Sequence, residues 1–254
     1  MSEAEVYRAD PSLKGKLRRR LVRLYRRRPA TLAPQRPMVS FTFDDVPRSA
    51  AMHGAHILEG KGARGTFLAC ASLAGTDFNT GRLASLDELA ALASRGHEIG
   101  CHSYDHIDCG QADEATISTS LRRNADAMAR FGLPAPRSFA YPYGDVSAAA
   151  KRAVDQSFAI SRGLHPGLVR KGTDLNQAPA IGLEGEASAA VARRFMDEAA
   201  ATNGWLIFFT HGVSDTPGEF DMSVDTFAAL VDHADGLGLA FVTLSEGARA
   251  MTGA

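Results

Sequence analysis

From Met38 onward the chain alternates strand-like runs with helical ones, a pattern that restricts it to parallel strands covered by helices. Residues 38–43, 64–69, 97–101, 137–141, 157–161, 178–181, 205–210 and 240–244 read as strands. Residues 48–60, 84–95, 111–131, 146–155, 186–203 and 223–237 read as helices. In the first strand Val39, Phe41 and Phe43 alternate with Ser40 and Thr42. Leu206, Ile207, Phe208 and Phe209 are apolar without alternation, as expected of a strand buried on both faces. This spacing suits both an open sheet and a barrel. In either, side chains that follow the strands gather at the C-terminal edge, where such folds carry their sites.

At 254 residues the chain has ample length for a substantial core, and its apolar content suits neither disorder nor a membrane bundle. Pro29, Pro34 and Pro37 mark a linker, dividing a segment of residues 1–36 from a domain of residues 37–254. The net charge of −1 conceals segregation, because residues 1–36 hold eleven Lys/Arg against Glu3, Glu5 and Asp10. Within Leu13 to Arg28, Leu13, Leu17, Leu21 and Leu24 fall in an arc of about 80° at helical spacing. Lys14, Lys16, Arg18, Arg19, Arg20, Arg23, Arg26 and Arg27 lie outside it. Such a basic amphipathic helix suits an anionic membrane surface. Packing of its leucines on the body and binding to nucleic acid are the competing readings, and the acidic remainder of the chain does not support the second.

Residues 29–35 do not supply the apolar core of a secretory signal, and no apolar run approaches the roughly 20 residues that span a bilayer. The expected location is the cytoplasm, peripheral to the inner face of its membrane if the helix docks there. Three cysteines (Cys70, Cys101 and Cys109) without CxxC spacing read as reduced thiols. Cys101 should point away from its neighbour His102 if both lie on a strand.

Two short clusters carry the chemistry. Asp44 and Asp45 end the first strand, and adjacent carboxylates there repel unless a cation stabilises both. His102 and His106 follow the strand at 97–101 and offer imidazoles four positions apart. One carboxylate and two imidazoles give three ligands and leave a position open, as catalytic rather than structural metal sites do. A third cluster, Tyr141-Pro142-Tyr143-Gly144, and a fourth, Thr210-His211-Gly212, also follow strands. His211 should therefore emerge at the same edge.

Together these residues resemble the polysaccharide deacetylases, the NodB-homology domain or carbohydrate esterase family 4. Thr42-Phe43-Asp44-Asp45 matches the family's first motif, and His102-Ser103-Tyr104-Asp105-His106 its second, H-S/T-x-x-H. Ala140-Tyr141-Pro142-Tyr143 matches the third, usually R-x-P-Y, in part; Phe209-Thr210-His211 matches the last. The resemblance covers roughly residues 38–248. It implies an α/β fold, a distorted (β/α) barrel with about seven parallel strands. It also implies that Asp45, His102 and His106 hold Zn²⁺ or a similar divalent ion, with Asp44 as general base and His211 as general acid. The Tyr143 N–H, presented by the Pro142–Tyr143 turn, would help to hold the oxyanion.

The chain departs from the family at two places. Ala140 stands where the family has an arginine that orients the catalytic aspartate; Arg137, Arg162 and Arg170 are the candidates to replace it. The fourth motif, an Asp followed by Trp, has no clear match; Asp174 is the nearest candidate, and Trp205 reads as a packing residue. Asp105 and Asp108 flank the metal cluster and read equally as sugar contacts or as solvated loop acids.

The expected function is metal-dependent N-deacetylation of N-acetylhexosamine units, N-acetylglucosamine above all, in a bacterial surface polysaccharide. A lipid-linked precursor is the natural substrate if the basic helix docks to a membrane. Exopolysaccharide or holdfast assembly is the narrower match. The alternatives are hydrolysis of a small cyclic or formyl amide on the same fold, and a silent carbohydrate-binding protein.

Overall fold

The computed structural model describes residues 13–155 and 157–253; residues 1–12 of the N-terminal segment lie outside the described residues, as do the side chains of Leu13, Lys14, Lys16, Arg18 and Arg19. Eight strands form one sheet: β1 (Met38–Asp44), β2 (Thr66–Ala69), β3 (Glu98–Cys101), β4 (Ser138–Ala140), β5 (Ile160–Arg162), β6 (Ile181–Gly182), β7 (Trp205–Thr210) and β8 (Ala240–Phe241). Seven run in the order β5-β4-β3-β2-β1-β7-β6, and β8 pairs with the first two residues of β1. Every pairing in the sheet is parallel. Residues 175–178 run along β5, with Ser161 N–H donating to Leu175 O and Ala178 N–H to Ser161 O. That segment leads into β6 and so joins the two ends of the order. The sheet is thus curled into the distorted barrel that the sequence motifs implied.

All eight expected strands are present, with ends displaced by up to three residues. The helices are α1 (Leu13–Val22), α2 (Ala55–Gly60), α3 (Leu86–Ser94), α4 (Glu114–Ala129), α5 (Ala148–Val154), α6 (Ser188–Thr202), α7 (Val224–Gly236) and α8 (Leu244–Thr252). Five of them, α3, α4, α5, α7 and α8, start from side-chain caps at Ser85, Asp113, Ser147, Ser223 and Thr243. The sequence reading missed α8 because it extended the last strand to residue 244. Thr243 and Glu246 instead form a reciprocal capping box, which turns the chain into a helix one residue after Val242.

β1 explains why alternation did not mean exposure. All seven of its residues are buried. Val39, Phe41 and Phe43 face the covering helices, with Phe41 packing edge-on against Phe227 of α7 at 5.4 Å. Ser40, Thr42 and Asp44 face the other side. There the Ser40 hydroxyl donates to Val242 O and accepts from Trp205 Nε1, and the Thr42 hydroxyl donates to Phe208 O. Ser40 and Thr42 are tolerated inside the barrel because each finds a partner. Trp205, with Met38 and Ile207, packs on that face against Leu244, Ala248 and Met251 of α8. Gly247 is required there, since a Cβ would lie 2.2 Å from the Trp205 ring.

The N-terminal segment differs from the expected helix of residues 13–28. α1 stops at Val22, and residues 28–32 are drawn into extended contacts with the body. Arg28 N–H donates to Asp174 Oδ1, Leu175 N–H to Arg28 O, Ala30 N–H to Thr173 O, and Leu32 N–H to Met251 O. These long-range bonds outweigh the helical preference of the arginine run. Among the described residues, no helix is long and apolar enough to cross a membrane.

Candidate active site

Each charged cluster follows a strand of the sheet and reaches the same edge. Asp44 ends β1, and Asp45 leaves it with φ 58°. Val46 N–H donates back to Asp44 O at 2.6 Å, so the chain turns tightly across Asp45. This turn lets two consecutive carboxylates serve one site, whereas on a continuing strand they would point to opposite faces. Among the described residues seven non-glycines have positive φ, and Asp45, Val46, Ser103, His106 and Tyr143 are five of them. Backbone strain is thus concentrated here, as at functional sites generally.

Asp45, His102 and His106 each offer a ligand atom, and the three atoms lie within 4.8 Å of one another. Asp45 Oδ1 is 3.6 Å from His106 Nε2 and 3.9 Å from His102 Nε2. His102 Nδ1 lies 2.9 Å from the Ala140 carbonyl, which only accepts, so the proton sits on Nδ1 and the Nε2 lone pair faces Asp45. Asp45 Oδ1 is buried and has no hydrogen-bond partner. Burial pushes the Asp45 carboxyl above its ordinary range and the His106 imidazole down to about 3. The residues fit a divalent cation: it requires neutral imidazoles, and it would supply the counter-charge that the buried carboxylate lacks. A set of two nitrogens and one oxygen suits zinc and its neighbours.

Asp44 has a different partner. Arg162, the last residue of β5, pairs with Asp44 Oδ1 through Nη2 in a fully buried ion pair. Burial pushes the Asp44 carboxyl up, but the charges of Arg162, His102 and His211 more than offset this and hold it below the usual range. Of the three candidate arginines, Arg170 instead pairs with Glu198, and Arg137 precedes β4 at the opposite edge of the sheet. Ala140 and Arg162 are register partners on β4 and β5. The guanidinium missing from one strand is therefore supplied by its neighbour, and Ala140 keeps only its carbonyl's role toward His102.

His211 follows β7, with Nε2 4.0 Å from Asp45 Oδ2 and Nδ1 3.4 Å from Glu184 Oε1. Burial lowers its pKa, but Glu184, Asp44 and Asp45 outweigh burial and raise it above the ordinary 6.5. Glu184, two residues beyond β6, was missed in the sequence, although an acid just past a strand end is the same signal that marks the other clusters. Asp174 lies elsewhere, in a buried pair with Lys151 at 2.6 Å. Replacing Glu184 with glutamine should move the alkaline limb of kcat/KM to lower pH, because burial would then prevail at His211. An unchanged limb with unchanged metal content would refute that role.

The remaining candidates line the site or brace it. Pro142 is buried and opens a single helical turn, Pro142–Gly144, in which Tyr143 has φ 58°. The Tyr143 ring meets His106 edge-on at 4.5 Å, with Phe78 on His106 at 5.7 Å and Phe220 on His211 at 5.4 Å. Asp105 accepts the Ser120 hydroxyl, and Asp108 accepts the Gly110 N–H. All three cysteines are buried free thiols.

The sequence profile of the polysaccharide deacetylases matches residues 32–158. No curated protein matches the chain. Solved structures do. The chitin deacetylase of Colletotrichum lindemuthianum aligns at 21% identity and TM-score 0.61, over 86% of this chain and 92% of that one. A family 4 carbohydrate esterase from Streptomyces lividans aligns at 19% and 0.59, over 85% and 96%. A family 4 acetyl xylan esterase from Clostridium thermocellum, solved with a cobalt ion, aligns at 18% and 0.55, over 82% and 89%. At these identities the likeness is one of fold.

Proposed function

Because the chain belongs to the polysaccharide deacetylase family, we propose that it is a metal-dependent N-deacetylase of N-acetylhexosamine units, N-acetylglucosamine above all, in a bacterial surface polysaccharide or its lipid-linked precursor. The observation that carries this reading is the Asp45, His102 and His106 cluster, with Asp44 and His211 close by. Asp45, His102 and His106 would hold the cation, most simply Zn²⁺. When bound, such an ion supplies Lewis acidity toward an acyl oxygen and toward water.

The protein's own groups divide the rest of the work. Asp44, kept ionised by Arg162, takes the proton of the attacking water. His211, kept protonated by Glu184 and the two aspartates, gives a proton to the departing amine, which is otherwise a very poor leaving group. The Tyr143 N–H donates to the oxygen that gains charge. A preorganised donor of this kind is worth about 3–4 kcal/mol. The Phe78, Tyr143 and Phe220 rings give the cleft apolar walls on which sugar faces can stack.

Acetate release from chitooligosaccharides, with and without chelator, tests the reading. Activity should vanish with chelator and return with Zn²⁺, and His102→Ala should lose metal and activity together. Full activity in a metal-free protein would end it. Turnover of small cyclic amides in place of the oligosaccharide would favour the alternative hydrolase, and glycan binding without acetate release would favour a silent binder.

The N-terminal helix supports a membrane-proximal substrate. Leu17, Leu21 and Leu24 are 58%, 57% and 72% exposed, so these leucines are not packed against the body, whereas Val22 is buried. Leu17, Leu21 and Arg20 on α1, with Arg23 and Leu24 in the turn that follows it, give this segment the apolar and charged character of an interfacial anchor. Leu17→Ser/Leu21→Ser should weaken binding to anionic vesicles while sparing turnover of a soluble oligosaccharide. Undiminished vesicle binding would remove the membrane from the proposal, and with it the argument for a lipid-linked substrate on the cytoplasmic face.

A further inference from the structure

At the edge of the sheet opposite the active site, the segments leading into β4 and β5 meet α8 and the strap after α1. A cavity of about 470 Å³ lies between them. Its polar lining consists of Arg28, Arg137, Arg249, Ser157, Ser245 and Thr252, with Phe158 and Pro136 among its apolar walls. Among the described residues no aspartate or glutamate lines it.

Arg26, Arg48, Arg95, Arg152, Arg162 and Arg170 each pair with a carboxylate. None of the three arginines of the cavity has an ion-pair partner among the described residues, a property they share with Arg64 and Arg123; what sets them apart is that all three line one space. Arg28 Nη2 donates to Ala159 O at 2.8 Å, but its Nε is buried with no partner. An unsatisfied buried guanidinium donor is costly, and an arriving acceptor relieves that cost. Of the acids nearby, Asp174 bonds Lys151 and the Arg28 N–H, and Asp155 bonds Arg26 and Asn176, while both still act on the Arg28 charge from beyond ion-pair distance; Glu98 bonds Thr66 and the Ser245 N–H through Oε2.

We propose that this cavity binds the phosphate group of a small molecule. Guanidinium forks match phosphate oxygens in pairs, and three around one space exceed what a carboxylate needs. The volume falls in the usual range of small-molecule sites, roughly 300–1,000 Å³, and leaves space beyond the phosphate for an organic remainder against Phe158 and Pro136. The bound anion joins the strap, through Arg28, to α8, through Arg249, and so braces the junction that holds the N-terminal segment on the barrel. The site is separate from the catalytic edge and independent of the proposed reaction.

Calorimetric titration of the full chain with glucose 6-phosphate, inorganic phosphate and glucose tests this at fixed ionic strength. The expected result is saturable one-to-one binding of the phosphates and none of glucose. Tighter binding of the ester than of inorganic phosphate identifies an organic phosphate as the ligand, and equal binding identifies the free ion; both keep the site. Arg137→Ala/Arg249→Ala changes two exposed side chains, so it should fold and release acetate as the wild type does, while binding weakens by about tenfold or more. Arg249→Gln alone should weaken binding less. Absence of saturable binding, or binding undiminished in the double variant, overturns the proposal. So does binding that is lost in His102→Ala with the three arginines intact, because it would place the anion on the metal centre.

Discussion

Asp44→Asn is expected to cut acetate release by about 10²–10⁴-fold, the usual contribution of a positioned base, while metal content stays at the wild-type level. The split follows from the geometry. Asp44 is held by Arg162, and the clustered ligand atoms belong to Asp45, His102 and His106. Asparagine keeps the shape of the side chain but cannot accept the water's proton. It also leaves the Arg162 charge buried without its counter-ion, so the variant should melt at lower temperature. Acetate assays beside metal analysis of the same preparation decide the matter. Loss of metal in proportion to activity would make Asp44 a ligand rather than a base.

The second large effect should come from Arg162→Met. Both partners of the Arg162–Asp44 pair are buried, and removing one side of such a pair typically costs about 3–5 kcal/mol. With the guanidinium gone, burial would raise the Asp44 carboxyl, and the acid limb of the pH–rate profile would move to higher pH. Arg162→Lys keeps the charge without the fork and should fall between the two. The informative variant is Ala140→Arg combined with Arg162→Ala. It returns the guanidinium to the neighbouring strand at the paired register, about 4.8 Å away. Recovery of part of the activity lost in Arg162→Ala would show that the charge at Asp44, rather than the strand that carries it, is what the site requires. No recovery, with metal and fold intact, would show that the approach from β5 is specific.

The Arg162 pair also shows where reading the chain stopped. The strands were legible because their apolar runs are bounded by polar or glycine-containing segments, and all eight appear. The clusters proposed to carry the reaction were legible because each is local in sequence: Asp44 with Asp45, His102 with His106 four residues later, His211 directly after a buried strand. Parallel topology then carries anything just beyond a strand to one edge. Ala140 could be seen as a gap, yet three arginines were equally able to fill it on paper. Only the pairing of β4 with β5 brings Arg162, rather than Arg137 or Arg170, to Asp44. Glu184 escaped notice for the same reason, since its relation to His211 exists only where β6 lies beside β7.

Local signals were also misread where longer-range contacts prevailed. The leucine and arginine spacing of residues 13–28 favours one helix, but Arg28 and Ala30 exchange backbone hydrogen bonds with residues 172–175, and α1 ends at Val22. At the other terminus a capping box ended the last strand early and began α8.

By itself, the sequence determined the order of strands and of all the helices but α8, the three residues proposed as ligands, and the aspartate and histidine beside them. Those depend on residue type and on neighbours within a few positions, which the chain carries wherever it goes. Tertiary structure decided which charges meet: Arg162 with Asp44, Glu184 with His211, and the three arginines around one cavity. An electrostatic interaction depends on distance and burial, and residues far apart in sequence acquire both only when the sheet curls and closes.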